Sequence, residues 1–340
     1  MNRWKFYVIA GLLLALTHVA LAQFQPRNLT KHWSIKDGLS QGVVNSITQD
    51  SQSLMWFATE DGLNRFDGYS FKVFQYDPDN KTSIADNFIQ SIFKDSDGTL
   101  WVSSRKGLLE FDPYHETFSL YSHDFKEQKN YAFNDVSFIT EGSAGNLWLS
   151  WYGSGFASFN KEKKTFIPYT PESLPGLTSE RTVAVLEDKF GLVWVGTQQG
   201  GVNVFQVSQG AVVKKMNDLS SNLHLPMVNV HCFAEDKFGN IWIGTNTLGL
   251  FKYNPKTEEL KHFNEQNSAL GSNRVNLITE DHQFRIWVGT LGGGVNLYDR
   301  KKNTFTNYNQ EEDGLPSNFI YGIQESRFGN FWISTSQGLS

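Results

Sequence analysis

The side chains able to do chemistry here are eight histidines, 35 carboxylates and a single cysteine, Cys232. Their spacing decides what they can do. His224 and His231 stand seven apart with no cysteine or carboxylate pair beside them, which is not the arrangement of a zinc site. Asp77, Asp79 and Asn80 make an acidic turn, but the glycine and distal glutamate of a dedicated calcium loop are missing. The segment reads instead as a solvated turn in which short polar side chains bond their own backbone. No His-Glu-x-x-His, Gly-x-Ser-x-Gly or Gly-x-x-x-x-Gly-Lys segment occurs. Gly292-Gly293-Gly294 reads as a hairpin turn rather than a cofactor loop. No catalytic residue, metal or cofactor is therefore assigned, and the chain is not expected to be an enzyme.

The chemistry of binding is better supplied. Candidate ligand-binding residues are Arg105 and Lys106, Trp151 and Tyr152, Gln198 and Gln199, Asn246, Arg181 and Arg274. An aromatic pair beside a guanidinium could stack on a sugar ring and hydrogen-bond its hydroxyls. The alternative for Trp151 is that it packs into the neighbouring unit. What selects these positions is their place in a repeat.

Seven tryptophans mark that repeat: Trp56, Trp101, Trp148, Trp194, Trp242, Trp287 and Trp332, spaced by 45, 47, 46, 48, 45 and 45 residues. Each lies in an apolar segment after a turn and before a hairpin. In the first unit, Val43–Gln49, Leu54–Thr59, Leu63–Phe66 and Ser70–Gln75 read as four strands, with Glu60-Asp61-Gly62 as the tight hairpin. Four strands per ~45 residues is the pattern of a propeller blade. No segment sustains a 3.6-residue apolar period, so helices should be few. The expected fold is all-β: a seven-bladed β-propeller of four-stranded blades with the last blade incomplete. The repeated tryptophan should fill the gap between blades. The small residue two places on (Ala58, Ser103, Ser150, Gly196, Gly244, Gly289 and Ser334) should let the next blade approach.

Propellers commonly bind at the face formed by the starts of the inner strands and the hairpins after the Trp strands. That face takes in the nine candidates, together with Glu60, Asp61 and Thr247 on hairpins. Asn87, Asn134, Asn229, Asn273 and Asn318 mark inner-strand starts, where asparagine also serves simply to cap its own backbone. The aromatic closing the third strand lies ten residues past the Trp in blades one and two (Phe66, Phe111) and eleven past in blades three to six (Phe159, Phe205, Tyr253, Tyr298). Blades three to six therefore carry one extra hairpin residue.

The pattern Asp-x-x-Gly-x-(Leu/Ile/Val)-Trp-(Val/Ile)-Gly-Thr is clearest in Asp188–Thr197 and Asp236–Thr245. It is followed by pairs such as Phe66-Asp67, Phe111-Asp112, Phe159-Asn160, Tyr253-Asn254 and Tyr298-Asp299. With these pairs and the opening Trp33–Ser40, the pattern resembles the two-component regulator propeller repeat over residues 28–340. Ser53 and Phe284 depart from it at the turn glycine, and Trp151 at the threonine. The resemblance implies a periplasmic sensor region of hybrid two-component, sensor-kinase or diguanylate-cyclase receptors, with an oligosaccharide or other small ligand. It also implies a second propeller in many members, an inner-membrane full-length receptor and an output domain beyond residue 340. Streptogramin-type lyases are also similar; they need a His/Glu cluster with a metal, for which His231 and Glu60 are the available residues. A sialidase spaces its Asp box differently. The alternative functions are a protein-docking or homodimerising propeller without a small ligand and, behind it, a propeller lyase or glycosidase.

Residues 1–22 read as a signal peptide: Arg3 and Lys5, an apolar run from Phe6 to Leu16, then Ala20-Leu21-Ala22. An uncleaved anchor is the other reading, though the run is short for a span. The propeller sensor domain then occupies 23–340, with a balance of 28 basic to 35 acidic residues and no basic run, which excludes nucleic acid as a partner. One cysteine allows no internal disulfide. Leu29–Ile35 can supply the outer strand of blade seven, whose third strand has barely begun at Gly338-Leu339-Ser340. The expectation is a C-terminal receptor segment not contained in this chain.

Overall fold

A computed structural model describes residues 31–123, 134–208, 211–215 and 228–340; the signal segment 1–22 and His224 lie outside them. Among the described residues, seven antiparallel sheets form. Six have four strands in chain order and the last has three. Complete helical turns among the described residues are a 3-10 turn at Ile35–Asp37 and one α turn at Gln310–Asp313. This is the seven-bladed propeller expected. The inner strands are Val44–Gln49, Ile89–Lys94, Val136–Glu141, Thr182–Glu187, Val230–Glu235, Val275–Glu280 and Ile320–Glu325. Each packs on the next, and the last packs on the first. Blade seven goes one step further than the sequence suggested. Gly338–Leu339 is already a short third strand, and Leu339 pairs through two backbone hydrogen bonds with Trp33, which stands as the outer strand.

Six of the seven signature tryptophans are buried; Trp332 is half-buried. Besides contacts within their own sheets, such as Trp56 with Phe74 and Trp242 with Phe263, they pack across the blade junctions. Trp56 meets Phe111, Trp101 meets Phe159, Trp194 meets Tyr253 and Trp242 meets Tyr298, at 4.8–5.8 Å between ring centroids. Trp332 meets Phe66 at 5.8 Å and so closes the circle. The small residues allow this approach. A Cβ added at Gly196, Gly244 or Gly289 would lie within 2.6–2.8 Å of Val230, Val275 or Ile320 of the following blade.

A buried indole N–H needs an acceptor. In five blades the turn aspartate six residues earlier supplies it, at 2.7–3.1 Å: Asp50, Asp95, Asp188, Asp236 and Asp281. The other carboxylate oxygen accepts the backbone N–H four residues on, which closes the turn. Blade three has Gly142 there, and its Trp148 donates to Glu187 of blade four at 2.7 Å. The turn needs a left-handed residue just before it returns. Gly98, Gly145, Gly191, Gly239 and Gly329 provide it, and Ser53 (φ 74°) and Phe284 (φ 63°) adopt the same region. Those two departures from the repeat therefore keep its geometry.

A carboxylate sunk this deep needs compensation. Lys161 of blade three reaches back to Asp95 and Glu141 at 2.9 and 2.8 Å, and Arg300 of blade six reaches Asp236 and Glu280 at 3.0 and 3.2 Å. Asp281 is served by Arg285 at 2.6 Å. Burial alone would raise these three aspartates. The indole, backbone and cation bonds outweigh it and hold Asp95, Asp236 and Asp281 below the usual range. A second junction bond recurs at the ends of five inner strands. Glu141, Glu235, Glu280 and Glu325 each accept the amide that follows the turn acid of the preceding blade, at 2.8–2.9 Å. Gln49 accepts Arg327 N–H at 2.8 Å in the same way, sealing blade seven to blade one. Lys94 breaks the series between blades one and two. Near that break lies a cleft of about 500 Å³ lined by Asp50, Asp97, Glu110 and Asp112.

Every inner strand also carries a bulge at its second or third residue, where the pairing register slips against the Trp strand. A bulge re-aims the extra side chain. Asn45, Gln90, Ser137, Val183, His231, Asn276 and Tyr321 stand at the second position. Solvent reaches all of them although the first residue of each strand is buried. A strand covered on both faces by neighbouring blades can be wetted at that position only from the axis. The bulges thus line the centre of the ring with one residue per blade, and six of the seven are polar.

Two outcomes follow. Asp236→Ala leaves the Trp242 indole and the Asn240 amide without their acceptor in a buried place and takes one of two carboxylates from Arg300, and should destabilise the fold by about 2–4 kcal/mol in urea unfolding. Because Asp95, Asp236 and Asp281 have folded pKa values below their unfolded ones, their stabilisation is complete above about pH 4–5. It drains as pH falls through the folded values. The urea midpoint should therefore drop steeply below pH 4, and less so in Lys161→Met, where the ion pair is already lost.

Candidate functional site

The hairpins after the Trp strands have loops of two residues in blades one, two and seven and of three in blades three to six. The length difference seen in sequence is thus real backbone. The threonine or serine before the loop returns its hydroxyl to the glycine carbonyl after it: Thr59, Ser104, Thr197, Thr245, Thr290 and Thr335, at 2.8–3.0 Å. Gly292-Gly293-Gly294 is such a loop, as expected. A Cβ at Gly293 would sit 2.2 Å from Gly271 in the segment leading to the next strand of its own blade.

Each loop is tied to the start of its own inner strand. Tyr152 N–H donates to Asp135 O, Gln198 to Arg181 O, Asn246 to Asn229 O and Leu291 to Arg274 O, at 2.8–3.0 Å. Gln199 N–H donates to Asn229 Oδ1 of the next blade at 2.7 Å. The face deduced from the repeat does bring the hairpin and strand-start candidates together.

Their individual surroundings differ. Trp151 corrects the sequence expectation: at 1% exposure it faces inward, in one cluster with Trp101 and Leu108 and against Phe166 at 5.7 Å. It replaces the threonine of other blades because this junction has room for a large side chain, and it offers no ring face to a ligand. Tyr152 beside it is exposed. Arg105 lies over Phe88 at 3.8 Å and Lys106 over Tyr76 at 4.3 Å, two cation–aromatic pairs on the surface. Asp135 connects the first of these to Tyr152. Burial raises its pKa, Arg105 opposes this and Asp86 reinforces it. Its Oδ1 has no hydrogen-bond partner. Arg105, Phe88, Asp86, Asp135 and Tyr152 therefore form one patch, an exposed aromatic and a cation over a buried carboxyl group.

The asparagines have a different job. Asn87, Asn134, Asn273 and Asn318 accept the amides of Tyr76, His123, Glu265 and Gln310, each two residues past the end of an outer strand, at 2.7–3.0 Å. They anchor the crossing from one blade to the next. Glu60 is bonded to Gln41 on blade one, whereas His231 lies on blade five. The pair expected of a lyase-type metal cluster is not assembled. The one group of three possible metal ligands among the described residues is Asp95, Asp97 and Glu141. Lys161 Nζ stands 2.7–2.9 Å from all three, in the place of a cation.

The ring of bulged residues escaped sequence reasoning, although it sits at a fixed eleven residues before each Trp. The junction acceptors likewise recur seven before it. Fixed offsets of that kind were the available signal. At the ring, His231 is open to solvent yet surrounded deeply enough that burial pulls its pKa down. Arg274 pulls it the same way, and a hydrogen bond with Asn276 opposes both.

Four segments, residues 38–61, 83–106, 224–247 and 314–337, match the family described as two component regulator propeller. Over 78 residues the chain is 36% identical to Histidine kinase P4 of Formosa agariphila, a stretch that is 23% of this chain and 6% of that protein. The fold superposes on an extracellular domain described as that of a hybrid two component system of B. thetaiotaomicron. The TM-score is 0.77 and the identity 28%, covering 92% of this chain and 41% of the other. It also superposes on a streptogramin B lyase at TM-score 0.67 and 14% identity, covering 91% and 95%. That last likeness is one of fold alone. The chain spans well under half the length of the kinase and of the two-component domain it matches.

If the asparagines are anchors, Asn318→Ala should cost about 1 kcal/mol. It should also speed hydrogen exchange at the Gln310 amide while leaving the circular dichroism spectrum unchanged.

Proposed function

Given that the chain carries repeats of the two-component regulator propeller family, we propose that it is the ligand-sensing region of a signalling receptor and works in the periplasm. The ligand we infer is a small polyhydroxylated molecule, of the size of an oligosaccharide fragment. One observation carries this reading: the patch of exposed Tyr152 and of Arg105 lying on Phe88, set over the buried carboxyl of Asp135. Sugar recognition needs an aromatic surface for the apolar face of the ring and fixed donors and acceptors for its hydroxyls. The patch supplies these on the rigid ends of strands. Output would come from a domain outside this chain, since signalling inward needs chemistry these residues do not carry.

A docking propeller is the second reading, favoured by a separate feature. At the opposite end of the blades, the turns of blades four to seven expose Phe190, Phe238, Phe284 and Phe328. Exposed aromatics grouped on one side suit a protein partner.

The test is a thermal-shift screen of the chain against soluble oligosaccharides, with Arg105→Ala and Tyr152→Ala as controls. A ligand bound by the native state alone raises the melting temperature with concentration. The expected result is a rise of several degrees that both substitutions reduce. A folded sample that no glycan shifts would turn the assignment to docking.

A further inference from the structure

We propose that the axial end of blades five and six holds an anion site built from Arg274, His231 and Asn276, and that it takes a carboxylate or sulfate group of the ligand. This rests on the sensing assignment above and narrows its ligand to an acidic one.

The placement comes from the repeat. Arg274 directly precedes the inner strand of blade six, and its carbonyl is fixed by Leu291 N–H at 2.9 Å. Its side chain is exposed, and among the described residues no carboxylate pairs with it. His231 and Asn276 are the bulged residues of adjacent blades, so both are turned toward the axis. Asn276 Nδ2 donates to Ile320 O of the next blade at 3.0 Å. That turns the amide oxygen away from blade seven, to the side of blade five, where His231 holds the equivalent bulged position. The nearest acid before Arg274 in sequence, Glu265, is already bonded to the Asn273 amide at 2.6 Å, and the nearest after it, Glu280, is held by Arg300 at the turn end.

Two cation-capable groups are thus held beside each other with no acid between them. Arg274 feeds back on His231 and discourages it from charging. Such a pair is stabilised by an anion placed between them, which would take a guanidinium fork and an imidazole N–H at once. Blade four repeats the arginine at the same register, Arg181, beside Glu180, with its carbonyl held by Gln198 N–H. Blades one to three place Asp61, Asp86 and Asp135 on that face instead.

Calorimetric titration of the chain with glucuronate, glucose and inorganic sulfate, repeated on Arg274→Gln and His231→Asn, decides the matter. Glucuronate and sulfate should bind, glucose should bind at least tenfold more weakly, and each substitution should reduce anion affinity tenfold or more with circular dichroism unchanged. Binding of anions that both variants retain would overturn the site. So would binding of neutral oligosaccharides with no preference for anions, a result that leaves the sensing assignment intact. Anion binding lost in the variants, in a chain that no oligosaccharide shifts, would keep the site and sink the sensing assignment.

Discussion

The bond between each buried indole and a turn carboxylate is the constraint on which this propeller depends. Tryptophan gives the junction its area, but its N–H could not be buried unpaired, so the chain places an acid six residues earlier. That acid is then itself drawn inward, and in three blades a cation compensates it. Lys161 and Arg300 do this from the following blade, and Arg285 from within its own. Packing of one large ring thus dictates a turn, a countercharge and a contact between blades. Where the acid is absent, as at Gly142, the next blade lends Glu187 and the indole is still satisfied.

How much of this was legible depended on whether the sequence pattern was local. The blade count, strand order and hairpin lengths follow from spacing along the chain, and Trp56 to Trp332 mark them directly. The roles of Ser53 and Phe284 were not legible, because a left-handed backbone leaves no mark in a side chain that seldom adopts it. Trp151 misled for a related reason. Its type suits a ligand surface and a junction equally, and only the space beside Trp101 and Leu108 decides between them. The bulged ring was hidden by the pleat. Alternation assigns His231 and Asn276 to a sheet face, whereas the extra residue of a bulge turns them to the axis.

The two ends of the blades divide their duties. At the turn end, acids, indoles and reaching cations hold neighbours together, and most polar groups there already have partners. At the hairpin end, backbone amides fix the loops to the strand starts and leave side chains such as Arg105, Tyr152 and Arg274 pointing outward. A scaffold that meets its own hydrogen-bonding needs with main chain and asparagine anchors has its long side chains available for something else. The same arrangement accounts for the rigidity a binding face requires, since each candidate rises from a strand end rather than from a long loop.

The seal between blades seven and one has a temporal consequence. Ser96 reaches Glu141 across 45 residues of chain, whereas Arg327 reaches Gln49 across 278. Loop-closure entropy grows only with the logarithm of length, so this longer closure costs roughly 1.5 kcal/mol more than a neighbouring one. The thermodynamic difference is small, but the order of events is not free. During synthesis six junctions can assemble as the chain emerges, while Gln49, Trp33 and Phe66 must wait for the seventh blade. Until it arrives, blade one presents a finished sheet with one flank uncovered, a nascent chain exposed to the wrong partner on the side it will later close.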